Sequence, residues 1–393
     1  MHFSTHISVA LNEPDAVAEL ASEIDREHLT TLACYYTQDH SANKLRSLLS
    51  HNFPGVPIMG ASTCKGVMTE KGVHFGCVIG IMAIYDSGIS SYGTATVTIA
   101  PCDNVTTSTQ LAIEKALEKA DRVGEVPGFV LLHATPGLEE KIIACIDDTF
   151  HTQVPIIGGS SADNHIKGHW SIFNEDLSTV QGVALQVFFP SSSLSTGFSA
   201  GYSPTEFVGT VTRANQRELL EIDHIPAQQI YREWVCDHAG VEVPKHFVFE
   251  LVTKYPLGRI AGSLYEQPYY KLSHPISFSE EQGLLLFSDI SEGDQVTLMS
   301  GDRDKLVGRA TRVLKEAQRN SLRRDQIAGA LSIFCAGPML YLGEDIHRVQ
   351  SMIVEELGDT PFICPFTFGE QGRFIGGENA HGNLMISSVV FYS

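Results

Sequence analysis

The sequence predicts a mixed α/β (α+β) protein of two domains, built from repeated β-α-β-β units with mixed sheets. Three observations predict it. A chain of 393 residues is longer than one domain usually is. Its 43% hydrophobic and 19% charged content suits a sizeable buried core and argues against disorder. Above all, one pattern recurs three times. The first copy reads TTLACYYT, VPIMGASTCKG and GCVIGIMAIY. The second reads GFVLLHATPG, VPIIGGSSADN and GVALQVFFP. The third reads GALSIFCAGPM, TPFICPFTFGE and GNLMISSVVFYS.

Each unit runs strand, helix, strand, strand. Apolar periodicity places the crossover helices at 41–51, 138–150 and 344–357. Stop signals follow at 52–55, 153–155 and 358–361. The returning strand opens on a proline, where a missing N–H does least harm. Between the units, Ser91–Ile99 alternates as a half-buried strand and Thr107–Arg122 reads as an amphipathic helix. Phe207–Thr212 and Glu218–Asp223 read as paired strands, followed by a helix over 226–237. Gly283–Phe287 and Gln295–Met299 flank a turn at Ser291–Asp294, and a helix runs over 303–319. The expected organisation is a lead-in over 1–27, a first domain over 28–239 with two units, and a second over 240–393 with one. The boundary falls in Gly240–Lys245.

Net charge is 27 − 46 = −19, which excludes a nucleic-acid binder and docking on an anionic membrane. No signal peptide is read at the N-terminus and no membrane span anywhere, so a cytoplasmic protein is expected. The eight cysteines are scattered without a CxxC pair, which points to mostly reduced, buried thiols. Lys305, Arg309, Arg312, Glu316, Arg319 and Arg323 share one helical face, expected to be solvated.

The second strand of every unit ends in a loop of small polar residues. Such loops expose backbone N–H groups and hydroxyls, and open α/β sheets commonly bind ligands at their strand ends. Three copies in register predict one shared ligand site. Its candidate residues are Ser62, Thr63 and Cys64; Ser160, Ser161 and Asp163; Phe368, Glu370 and His381. No Walker A, G-x-G-x-x-G, HExxH, kinase or G-x-S-x-G signature is present, so no enzyme is expected. The alternative is a hydrolase-type enzyme with Cys335 or Cys64 as nucleophile and Glu370 with His381 as an acid/base pair.

Read in order, these motifs resemble the FIST family. The likeness is carried by PIMGASTCKG, PIIGGSSADN, GVALQVFF and GYSPTEFVGTVTRANQRELLEIDHIPAQQIY in the N-terminal half. In the other half it is carried by GSLYE, SEGDQVTLM, ALSIFCAG, PFTFGEQG and HGNLMISSVV. Cys364 stands where the family usually has Gly, and Pro338 follows Cys335 where Arg is common. The resemblance implies a sensor in bacterial signalling, with length and organisation similar to the family's nitric-oxide-sensing haem proteins (the NosP group). It implies haem b as cofactor, a diatomic gas or redox change as signal, and a histidine kinase or cyclic-di-GMP enzyme as partner. A homodimer is left open. Haem needs a neutral imidazole or a thiolate facing an apolar slot. The candidates are His381, Cys364 and His133, with His74 and His169 behind them. The other ligand class expected is a small organic molecule such as an amino acid.

Overall fold

The computed structural model describes residues 1–150, 154–244, 248–264, 266–319 and 326–393. Gln153, Lys245 and Arg323, named above as a helix stop, a boundary residue and a stripe residue, lie outside them.

The three repeats form three six-stranded mixed sheets of one topology. In the first unit Leu29–Thr37 pairs parallel with Ile58–Thr63 and antiparallel with Ile79–Tyr85. In the second, Phe129–Ala134 does the same with Ile156–Gly159 and Gly182–Phe189. In the third, Ile327–Cys335 does so with Phe362–Thr367 and Met385–Tyr392. The crossover helices span Ala42–Asn52, Glu139–Phe150 and Ile346–Leu357, close to their predicted bounds.

Two features extend the predicted unit. First, each sheet gains an outer strand from upstream: His2–Ser8, Ser91–Thr98 and Leu194–Ala200. Second, a hairpin leaves each unit after its second strand and completes the sheet of a different unit. The hairpin beginning at Gly66–Thr69 joins Phe362–Thr367 of the third sheet. That beginning at Ile172–Asn174 joins Ile58–Thr63 of the first. That beginning at Glu370–Arg373 joins Ile156–Gly159 of the second. The exchange is cyclic, so the three units close into a ring. The reason is local. A four- to six-residue strand at a sheet edge leaves a row of backbone groups unpaired, and burial demands partners for them.

The sheets share a central core. Phe3 from the first sheet and Phe129 from the second lie 4.9 and 5.7 Å, centroid to centroid, from Phe391 of the third. Phe188 packs 4.1 Å from Phe129. All four rings are buried.

A fourth, antiparallel sheet spans 202–301 and is inserted between the third unit's outer strand and its helices. It carries the predicted pair, now Tyr202–Asn215 with Glu218–Ile222, and a helix Ala227–Ala239 that closes on Gly240 at φ 64°. The helix predicted over 303–319 is split into Arg303–Val307 and Arg309–Arg319 by Gly308. The break turns Arg309 inward, to 7% exposure beside Glu316. The basic stripe is therefore not one solvated face. A helix Ala336–Leu342 follows Cys335 directly and was not predicted, because Gly337-Pro338 reads as a breaker. Proline is tolerated in a first helical turn, where its missing N–H has no intrahelical partner to lose.

Since Phe391 joins all three sheets, Phe391→Ala is expected to cost about 3–5 kcal/mol. Urea unfolding followed by circular dichroism checks this.

Candidate functional site

The three small-residue loops meet, and they meet through their backbones. Cys64 N–H donates to Phe366 O at 2.8 Å, and Ala162 N–H to Ser62 O at 2.9 Å. Ser160 and Phe368 bond reciprocally across the third contact: Ser160 N–H to Gly369 O at 2.9 Å, Phe368 N–H to Ser160 O at 3.0 Å. Each loop thus satisfies a neighbour's buried polar groups.

Most of the predicted ligand residues serve this junction. Ser62 Oγ accepts the Ser171 N–H and Thr63 Oγ1 accepts the Phe366 N–H. Ser160 Oγ donates to Glu139 at 2.6 Å and accepts from Gln371. Ser161 donates to Ala134 O. Asp163 accepts four backbone N–H groups, from His165, Ile166, Lys167 and His169. Those bonds pull its carboxyl below the ordinary range against the opposing effect of burial. They fold 164–169 into a tight cap.

Cys64 and Phe368 face a different space. A largely apolar cavity of about 160 Å³ lies between the junction and the fourth sheet. The cap lends it Asn164, His165 and Ile166. The inserted segment lends Phe249, from a short helix Phe249–Lys254, and His274 and Phe287 beside its strand ends. The third unit lends Cys335 from its strand end, Ala336, Gly337 and Leu340 from the unpredicted helix, and Gly369 and Asn383 from either side of the hairpin. Sequence reasoning missed most of this wall. Phe249, His274 and Phe287 sit in the inserted segment, which carries no repeat. The one available signal was Cys335, at the end of a repeat strand.

Glu370 and His381 stand one layer behind the cavity. Glu370 is fully buried and accepts from Thr367 Oγ1 at 2.9 Å and Met385 N–H at 3.0 Å. Burial outweighs these bonds and raises its carboxyl to about 8. Burial pushes the Cys335 thiol well above its usual value, and the neighbouring Glu370 raises it further. His381 Nδ1 lies 3.0 Å from Glu140. Desolvation pulls His381 down, but Glu140 and Glu139 outweigh it and hold the imidazole above its ordinary range. Burial opposes the charge on Glu140, yet His381 and Arg217 hold that carboxyl far below the usual range.

Arg217 closes this network. Its guanidinium reaches Glu139, Glu140 and Asp289, each at 2.8 Å, and Phe287 O at 2.8 Å. It ties the fourth sheet to the second unit's helix. Among the described residues, Glu139, Glu140 and His381 form the one cluster with metal-ligand spacing, their donor atoms within 4.8 Å of one another. Arg217 already supplies the positive charge that those carboxylates require.

Among the haem candidates, His133, Cys364 and His381 present no free donor to a cavity, whereas His74 Nε2 is buried without a partner among the described residues. His133 uses both nitrogens, Nδ1 with Gly159 O at 2.8 Å and Nε2 with Tyr35 at 3.0 Å, and burial lowers it to about 4. Cys364 is fully buried and its thiol is pushed up by burial. His381 Nε2 lacks a partner, but Gly369 packs over it so closely that a Cβ there would stand 2.3 Å away. These residues do not fit an axially ligated haem. Five of the eight cysteines are buried and all eight are free.

Fold and site together define a pseudo-threefold α/β protein whose junction roofs a small cavity. The chain belongs to the FIST family: the FIST N domain matches residues 30–225 and the FIST C domain residues 227–373. FIST domains sense small ligands in signalling. An uncharacterized protein of Methanocaldococcus jannaschii is 25% identical over 211 residues, covering 49% of this chain and 38% of that protein. The chain thus spans well under half of that relative. The crystal structure of the cyanuric acid hydrolase of A. caulinodans aligns over 100% of this chain and 99% of its own. Its TM-score is 0.39 and its identity 8%, and that likeness carries no argument about chemistry. Among the described residues no helix is long and apolar enough to cross a membrane.

Arg217→Met would leave Glu139, which is 1% exposed, without its cation. The expected loss is about 3–5 kcal/mol, read by urea unfolding. A pH effect follows from His381. Its folded value lies above its unfolded one, about 6.5, so the pair's stabilisation is complete below that pH and fades as pH rises through the folded value. Glu370, also raised, adds a fall of the same sign from about pH 4.3 towards 8. Stability measured from pH 6 to 9 should therefore decline, and His381→Gln should make the decline shallower, leaving the part that Glu370 sets below about pH 8.

Proposed function

We propose that this protein is a cytoplasmic sensor whose ligand is a small, largely apolar organic molecule held in the cavity. Binding is passed to a separate signalling protein, a histidine kinase or a cyclic-di-GMP enzyme. The carrying observation is the cavity's position. Its wall is drawn from both family halves, with Cys64 and Asn164 to Ile166 from one and Phe249, His274, Cys335 and Leu340 from the other. An occupant therefore touches both halves at once. A ligand that prefers one relative arrangement of them shifts the population towards it, and a partner that distinguishes the two arrangements reads the change. Leu340, 37% exposed on the short helix, stands at the mouth where such a change reaches the surface.

Size selects the ligand class. A cavity of about 160 Å³ matches one that accepts benzene, which favours a single small ring or short chain. Haem b is far larger, and His133 and His381 are engaged or covered.

Benzyl alcohol is a suitable probe. It should raise the thermal unfolding midpoint in a dose-dependent way. Ala336→Leu, which fills the cavity from its wall, should abolish that rise and leave the fold intact by circular dichroism. Hemin should give no axially ligated Soret band; a band that moves with nitric oxide would restore the haem reading. Hydrolysis of ester or amide substrates that vanishes in Glu370→Gln would make the protein an enzyme instead.

A further inference from the structure

We propose that Asn383 selects the ligand: its side-chain amide donates a hydrogen bond to the carbonyl oxygen of a neutral, single-ring molecule in the cavity. This rests on the cavity being the ligand site. The orientation of the amide is fixed by its partner. The backbone N–H of His274 can only donate, so the Asn383 atom that receives it, at 3.1 Å, is Oδ1. Nδ2 is therefore the other end, and it has no partner among the described residues. Asn383 is 2% exposed and lines the cavity, so a buried donor is left for an occupant to satisfy. Gly369 shows where that donor lies. It lines the same cavity, and a Cβ on it would stand 3.1 Å from Nδ2. The glycine, at φ 108°, keeps the space beside the donor clear.

The donor is held in place before anything binds. Asn383 N–H donates to Leu272 O at 2.9 Å, and Met385 N–H, two residues on, donates to Glu370 at 3.0 Å. With Oδ1 tied to His274, backbone and side chain are both pinned. A ligand that meets Nδ2 has little ordering to offset at this position.

The rest of the wall sets the shape and charge of the occupant. His274 stands between two phenyl rings that also line the cavity. Phe287 stacks on it at 5.5 Å and 19°, and Phe249 meets it edge-on at 5.6 Å and 72°. Burial lowers His274 to about 3, so the ring is neutral. Such a wall favours a flat ring. Among the described residues that line the cavity, none is Asp, Glu, Lys or Arg. A carboxylate or an ammonium group would enter unpaired, at a cost that one amide hydrogen bond does not offset. A zwitterionic amino acid therefore does not suit this space, and a ring ketone, ester or amide does. Its carbonyl gives Nδ2 an acceptor.

Acetophenone and α-methylstyrene test this, because they share a shape and differ in one group, C=O against C=CH2. Both should bind the wild-type protein by calorimetry. Acetophenone labelled with carbon-13 at its carbonyl should show, by isotope-edited infrared spectroscopy, a bound C=O stretch below its value in hexane. Asn383→Ala should return that stretch towards the hexane value and weaken acetophenone about 10-fold relative to α-methylstyrene. Asn383→Asp keeps Oδ1 for the His274 N–H and puts an oxygen where Nδ2 was, and should lose the preference as well. Binding of α-methylstyrene by each variant shows that it folds. An unshifted carbonyl stretch in the wild type, or an affinity ratio that neither variant changes, overturns the role of Asn383 and leaves the cavity reading standing. Benzoate binding more tightly than acetophenone overturns the neutral ligand class in the same way. Failure of acetophenone and α-methylstyrene alike to bind the wild type overturns the cavity reading itself.

Discussion

Everything in this structure depends on backbone hydrogen bonds that no single unit can complete. The second strand of each repeat lies at its sheet's edge with one row of N–H and C=O groups unmatched. Buried, those groups would each cost on the order of 1–3 kcal/mol without a partner. The chain meets the demand by lending each unit's hairpin to another unit. Three loans in a circle pair each of these edges with a strand from another unit. They also force the three loops together, since each loop is the route by which a hairpin leaves its own sheet.

That closeness explains the glycine and serine pattern. A Cβ at Gly159 would stand 2.4 Å from Thr367 Oγ1 of the third unit. The loop hydroxyls face each other's backbones, as Thr63 does with Phe366 and Ser62 with Ser171. Small polar loops that suggested an open ligand cradle are spent largely on holding the ring shut. The ligand-sized space lies next to them, where the junction meets the inserted sheet.

The inserted sheet converts a closed ring into a site. Arg217 fastens it through Glu139, Glu140 and Asp289, and its own segment supplies Phe249, His274 and Phe287 to the cavity. The same ion network backs onto His381, and Glu370 stands beside it against Cys335. Cavity, titratable layer and interdomain clamp are thus consecutive shells. A change in the first has a short physical route to the third.

The repeat, the crossover helices and the meeting of the three loops were legible in the sequence, because apolar periodicity and proline or glycine punctuation are local signals. The identity of Glu370 and His381 as unusual residues was legible too, through their place in the third repeat. The hairpin exchange was not, since which edge a strand joins is decided by distant pairing. Nor was the helix Ala336–Leu342, where Gly337-Pro338 gives a local signal that packing overrides. The cavity wall was least legible. Phe249, His274 and Asn383 are separated by up to 134 residues and share no pattern, and only tertiary contact makes them neighbours. By itself the sequence determined the units and their family, because these follow from local periodicity and ordered motifs. Only the tertiary structure decided which polar side chains hold the junction and which face a ligand, because that depends on which partner each buried group finds.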